Sequence, residues 1–121
     1  EVQEISRSLK LMALELKVPV IALAQLSRNA EKRDKSEPML SDLRESGAIE
    51  NISDVVIFLY RDEYYNFRDE DSIRAKGEAE IIVAKNKFGG CGAVRLTFKS
   101  NIPKFFQDRG ALTFSSPTTI N

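Results

Sequence analysis

The sequence predicts an α/β fold, a mostly parallel sheet flanked by helices and finished by a C-terminal antiparallel hairpin. Three observations predict it. Helical periodicity over 2–17 runs into a continuous apolar stretch at 18–24, a second apolar run follows at 54–60, and a glycine-rich turn separates two strand patterns between 80 and 99. A helix delivered within a few residues to a strand buried on both faces is the second half of a βαβ unit.

The elements follow in chain order. Val2, Ile5, Leu9, Met12, Ala13 and Leu16 recur at helical spacing, with Glu1, Glu4, Arg7, Lys10 and Lys17 mostly opposite. Leu11 and Leu14 widen the apolar surface, so this helix is expected to pack on more than one side, and Pro19 to stop it. Val18–Ala24 then reads as a buried strand, leaving through the polar residues Gln25, Ser27 and Arg28. Residues 29–38 are polar and end in proline, which marks a surface loop.

Ser41-Asp-Leu-Arg-Glu opens with a capping residue and starts a helical turn that Gly47 interrupts or caps. Asp54–Tyr60 reads as a second strand buried on both faces, and 61–77 as a long exposed connection anchored by aromatics such as Tyr60, Tyr64, Tyr65 and Phe67. Glu80–Lys85 and Ala93–Lys99 are strands, with Gly89, Gly90 and Gly92 expected to give the positive-φ freedom of a hairpin turn. The tail from about residue 107 is polar and expected to fray.

Composition narrows the chemistry. In 121 residues, Lys+Arg and Asp+Glu each total 18, so no global field advertises a nucleic acid or a membrane. The charge is uneven: residues 81–121 carry six basic and one acidic side chain, making the end of the chain its basic part. With no histidine and only Cys91, the chain holds neither an internal disulfide nor a His-based catalytic triad or metal site. No apolar run approaches the ~18 residues of a membrane span, and a reducing, cytosol-like compartment is the default. The opening residues suggest that the chain begins inside a helix, as a piece of a longer protein.

Three positions could meet a phosphate. Gln25, at a strand's exit, carries an amide that donates and accepts at once, fit for a nucleotide phosphate or a metal-bound water; on spacing alone a polar end to the strand is the better reading. Arg44-Glu45-Ser46-Gly47 offers a guanidinium and backbone N–H groups, yet by itself reads better as a solvated turn with a weak ion pair. Lys85 and Lys87, two residues apart at a strand end, make either a compact phosphate site or an edge guarded against aggregation. No G-x-x-x-x-G-K-[ST] loop is present.

Taken in order, EISRSLKLMALELKVPVIALAQLSR, LSDLRESGAIENISDVVIFLYRDEYY and EIIVAKNKFGGCG leading into VRLTF resemble the C-terminal half of the ATPase domain of DnaB-type replicative DNA helicases. These are hexameric motors with a RecA-like P-loop NTPase core. The resemblance spans residues 1–106 as the distal half of that domain, with 107–121 as a polar C-terminal tail. It implies that Gln25 senses the nucleotide γ-phosphate and that Arg44, Glu45 and Gly47 line the channel and touch single-stranded DNA. It implies too that Lys85 and Lys87 reach into the ATP site of the neighbouring subunit. The family usually has arginine where this chain has Lys87, and N-G-P-x-G where it has F-G-G-C-G.

The same resemblance puts the Walker A lysine, the catalytic glutamate and the Walker B aspartate before residue 1, so this chain alone is expected not to hydrolyse ATP. For the intact parent it implies ATP and Mg2+, a homohexamer, single-stranded DNA, a primase and a helicase loader as partners, no membrane, and a bacterial cytoplasmic or equivalent organellar setting. The alternative is a RecA-like mediator that binds nucleotide and partners without unwinding.

Overall fold

A computed structural model describes residues 1–26, 37–65 and 77–107. Helix α1 spans Val2–Leu16; a 3-10 turn, Leu40–Ser46, runs directly into α2, Gly47–Ile52. Strand β1 is Val55–Tyr60, followed by the single turn α3, Asp62–Tyr65, then β2, Glu78–Asn86, β3, Gly92–Lys99, and β4, Lys104–Gln107.

The four strands form one sheet in the order β1-β2-β3-β4, every pair antiparallel. The expected α/β composition and the β2–β3 hairpin are present, but the described sheet is an antiparallel meander rather than a mostly parallel sheet. Val18–Ala24, expected as a buried strand, forms neither helix nor strand and pairs with none of the described strands, with Ile21 89% and Leu23 95% exposed. Its β-branched composition suits a central strand, yet such a strand needs a neighbour, and the described sheet offers it none.

β1 is likewise not buried on both faces. Val56, Phe58 and Tyr60 are buried while Val55, Ile57 and Leu59 are exposed, because β1 lies at the sheet's edge with one face covered. β4 adds a strand to those expected; Phe105 and Phe106 carry it, and Phe105 packs on Phe98 of β3 at 4.8 Å between ring centroids.

The core is small. Leu43, Val56 and Phe58 form its centre, with Leu26, Leu40, Ile82 and Ala84 packed around them. Leu26 and Leu43 matter for position, since each lies beside a candidate site residue, Gln25 and Arg44. Helix α1 packs against α2 but buries no residue, so the expected packing on several sides is absent among the described residues. It ends at Leu16 through Lys17, whose φ of 53° puts a non-glycine residue in the left-handed region, two residues ahead of Pro19.

The turn before α2 is held by Asp42 rather than by Ser41. The Asp42 carboxylate accepts from the Met39 backbone N–H at 2.8 Å, while the Asp42 N–H donates to the Met39 carbonyl at 2.9 Å. The connection after β1 is tied at its base. Glu63 accepts from Gly77 N–H at 3.0 Å and pairs with Arg61 at 2.9 Å, and the Arg61 guanidinium lies 4.1 Å from the Phe98 ring centroid. Tyr60 is buried, as an anchor should be, and its hydroxyl donates to Asp62 at 2.6 Å. Burial and that carboxylate push the phenol well above its ordinary value.

Among the described glycines only Gly77 has a positive φ, 79°, at the start of β2. The β2–β3 turn therefore does not use Gly89, Gly90 or Gly92 in the expected way. Asn86 organises it instead: the side-chain carbonyl accepts from Phe88 N–H and the side-chain amide donates to the Gly90 carbonyl, both at 3.1 Å.

Candidate nucleotide and DNA-facing site

The candidate residues fall into two groups around α2. At its N-terminal end, the 3-10 turn carries the backbone of Arg44, Glu45 and Ser46 into Gly47, the first residue of the helix. A Cβ placed on Gly47 would meet nothing within 4 Å among the described residues, and its φ is not in the left-handed region, so neither crowding by those residues nor backbone strain calls for glycine there.

Lys85 serves the other end of α2. Its ammonium donates to the carbonyl of Glu50 at 2.7 Å and of Asn51 at 3.5 Å, satisfying carbonyls that a helix C-terminus leaves open. A register shift in β1–β2, where Val56 pairs with Lys85 but Ile57 with Val83, falls just before this lysine. Bulges of this kind re-aim side chains near the end of a strand.

Lys87 is different. Its backbone N–H donates to the Asp54 carbonyl at 2.9 Å, fixing the turn to the start of β1, while its side chain is 67% exposed. The two lysines are therefore placed differently: one donates to the helix end and the other presents its charge outward. They converge electrostatically on Asp54, which sequence reasoning missed. The Asp54 carboxylate accepts from Lys10 of α1 at 2.5 Å and faces the Lys87 ammonium at 3.9 Å. The Lys10 hydrogen bond, with the charges of Lys10, Lys87 and Lys85, holds Asp54 below its ordinary value against the opposing effect of burial. No spacing rule could pair residues 44 positions apart, one on a helix and the other just ahead of a strand.

Gln25 is exposed in the segment after α1, with Leu26 seated against the core that also holds Leu43. The backbones that carry Gln25 and Arg44 are thus anchored to one cluster. Arg28 lies outside the described residues, as do the side chains of Arg44 and Glu45. The donors present suit a phosphate rather than a metal. Among the described residues no group of three or more His, Cys, Asp or Glu side chains could hold a metal ion.

Residues 1–107 match the DnaB-like helicase C terminal domain. The chain belongs to that family. It is 55% identical over 105 residues to the replicative DNA helicase DnaB of Geobacillus stearothermophilus, and 53% identical over 105 residues to that of Pasteurella multocida. Each match takes in 87% of this chain but 22% of the relative, so the chain spans under a quarter of the length of these helicases.

Among solved structures it superposes on an isolated ATPase domain with a TM-score of 0.80 and 48% identity, covering 88% of this chain and 36% of that one. A DnaB-like replicative helicase whose structure was described with its interactions with primase gives 0.79 at 48% identity, covering 88% of this chain and 25% of that one. The fold is accordingly that of a RecA-like helicase ATPase domain. No helix among the described residues is long and apolar enough to cross a membrane.

Proposed function

We propose that this chain is the distal half of the motor domain of a replicative DNA helicase, and that the intact protein couples ATP hydrolysis to movement along single-stranded DNA as a homohexamer. The observation that carries the reading is the contrast at the end of β2. Lys87 stands exposed on a turn pinned by Asp54 and Asn86, which supports a role toward a site outside its own chain, while Lys85 is tied to the helix that follows the Arg44–Gly47 turn.

In this reading Lys87 supplies a cation to the γ-phosphate bound by the neighbouring subunit. ATP brings the bond to be cleaved, and Mg2+ is held by residues outside this set. A cation that meets charge developing in the transition state raises kcat more than affinity. Lysine keeps the charge of an arginine finger without its planar fork. Gln25 reads the γ-phosphate within its own subunit, and the core cluster of Leu43, Val56 and Phe58, against which Leu26 packs, gives that reading a short route to Arg44, Glu45 and Gly47, which track DNA phosphates. Among the described residues Gly47 leaves open space where a side chain would fit, room for a backbone to approach. Primase and a helicase loader are partners of the intact hexamer, and this chain alone lacks catalysis because it has no phosphate-cradling loop.

Mixing subunits tests the assignment. Lys87→Ala in the intact protein should lower DNA-stimulated kcat on the order of 10²-fold, part of the ~10³ an arginine finger supplies, with ATP affinity and assembly retained. Lys87→Ala subunits mixed with subunits lacking the Walker A lysine should regain activity at interfaces that combine one intact half from each. A mixture with no recovery, beside near-normal activity of Lys87→Ala alone, would remove Lys87 from the site. Hydrolysis absent from the wild-type hexamer would favour the non-catalytic mediator.

A further inference from the structure

Asp54 has one carboxylate and two lysines competing for it. Lys10 has won: its ammonium hydrogen-bonds Oδ2, whereas Lys87 faces Oδ1 at 3.9 Å, beyond hydrogen-bond reach. Yet the Lys87 backbone is fastened to the same residue through its N–H and the Asp54 carbonyl, so the lysine's base is held while its ammonium makes no hydrogen bond to the carboxylate.

We propose that Lys10 is a positioning residue for Lys87: by occupying the Asp54 carboxylate from α1, it keeps the Lys87 ammonium available to a phosphate held by a second copy of this chain. This deepens the reading that Lys87 acts in trans and rests on it. Two ammonium groups, of Lys10 and Lys87, beside one carboxylate leave an excess of positive charge there. Without Lys10, the nearest cation among the described residues able to satisfy Asp54 is Lys87, about 1 Å short of a direct contact by ordinary N–H···O distances. Closing that gap would neutralise the group that the neighbouring phosphate needs.

The arrangement has a signature that mere support of the fold lacks. Loss of Lys10 should be harmful, and further loss of the Asp54 charge should relieve the harm. In the full-length helicase, Lys10→Met keeps the stem and the helix, and should lower DNA-stimulated kcat about threefold, within the range of an exposed ion pair, with KM for ATP little changed. The Lys10→Met/Asp54→Asn double variant should return to the level of Asp54→Asn alone. Lys10→Arg, which still satisfies the carboxylate, should match wild type, and it checks the idea even if Lys10→Met does not fold.

A second readout is independent of hydrolysis. In nucleotide-free protein, brief acetic anhydride labelling followed by peptide mass spectrometry reports how free the Lys87 amine is. Lys10→Met should slow its acetylation, and adding Asp54→Asn should restore it. A double variant no better than Lys10→Met in either assay, or Lys87 labelling indifferent to Lys10, overturns the proposal. If labelling shifts as expected but Lys87→Ala leaves kcat intact, the trans-acting role of Lys87 is what fails, and the proposal's functional part falls with it.

Discussion

Gly47 shows how a residue's identity can point beyond its own chain. None of the described residues lies within 4 Å of where its Cβ would be, and its backbone does not need a positive φ. Glycine at the start of a helix carries an entropic cost, so its presence without an internal reason suits a surface that another molecule approaches. Gly47→Ala should therefore leave stability unchanged or raise it by up to ~1 kcal/mol, through a less flexible unfolded chain. The same change in the intact helicase should weaken single-strand binding by crowding the approach. Thermal unfolding and fluorescence anisotropy with an oligonucleotide would read the two effects. DNA affinity untouched by the methyl group would count against the DNA-facing role.

At the scale of elements, α1 ends by an unusual device. Lys17 takes the left-handed conformation, at φ 53°, that glycine usually supplies at a helix C-terminus, and Val18 N–H then reaches back to the Ala13 carbonyl at 3.2 Å. A side chain in that region costs roughly 1–2 kcal/mol, partly offset in Lys17→Gly by the greater freedom of the unfolded glycine. Lys17→Gly should raise stability by up to ~1 kcal/mol, seen as a higher midpoint in chemical denaturation with an unchanged slope. A lower midpoint would mean that the Lys17 side chain contributes more than its backbone conformation costs.

The same elements show what a sequence can and cannot convey. Periodicity located α1, β1 and the β2–β3 hairpin because each is written in neighbouring residues. What covers an apolar residue is written elsewhere. Val18–Ala24 has the chemistry of a central strand and no partner in the described sheet, and β1 is apolar on a face that none of the described residues covers. Lys85 has two readings in the sequence, a phosphate site or a guarded edge, and its bond to a helix end 34 residues away leaves no local trace there. The motif residues were legible through resemblance; Asp54 and its two lysines emerged only when α1, β1 and the hairpin were brought together.

For the molecule as a whole, the exposed apolar surface is the dominant feature. Val55, Ile57 and Leu59 line the open face of β1, Leu11, Leu14 and Leu16 stand out from α1, and Ile21 and Leu23 are almost fully exposed. Isolated apolar residues on a surface are ordinary, but consecutive strand and helix residues of this kind mark surface meant for burial. The chain spans 22% of the helicase from Geobacillus stearothermophilus and 36% of the solved ATPase domain it superposes on, so longer relatives carry sequence able to cover such surface. The 121-residue chain expressed alone should therefore bind the dye ANS and self-associate, with elution in size-exclusion chromatography that shifts with concentration. Replacing Ile21 and Leu23 by serine removes two large side chains that contact little among the described residues, so it should reduce both dye binding and association without lowering the unfolding midpoint. Ile57→Thr should act in the same direction while keeping a β-branched residue in the strand. A monodisperse wild-type chain that ignores the dye would show that these side chains find cover within the 121 residues themselves, and the open faces of α1 and β1 would not persist in solution.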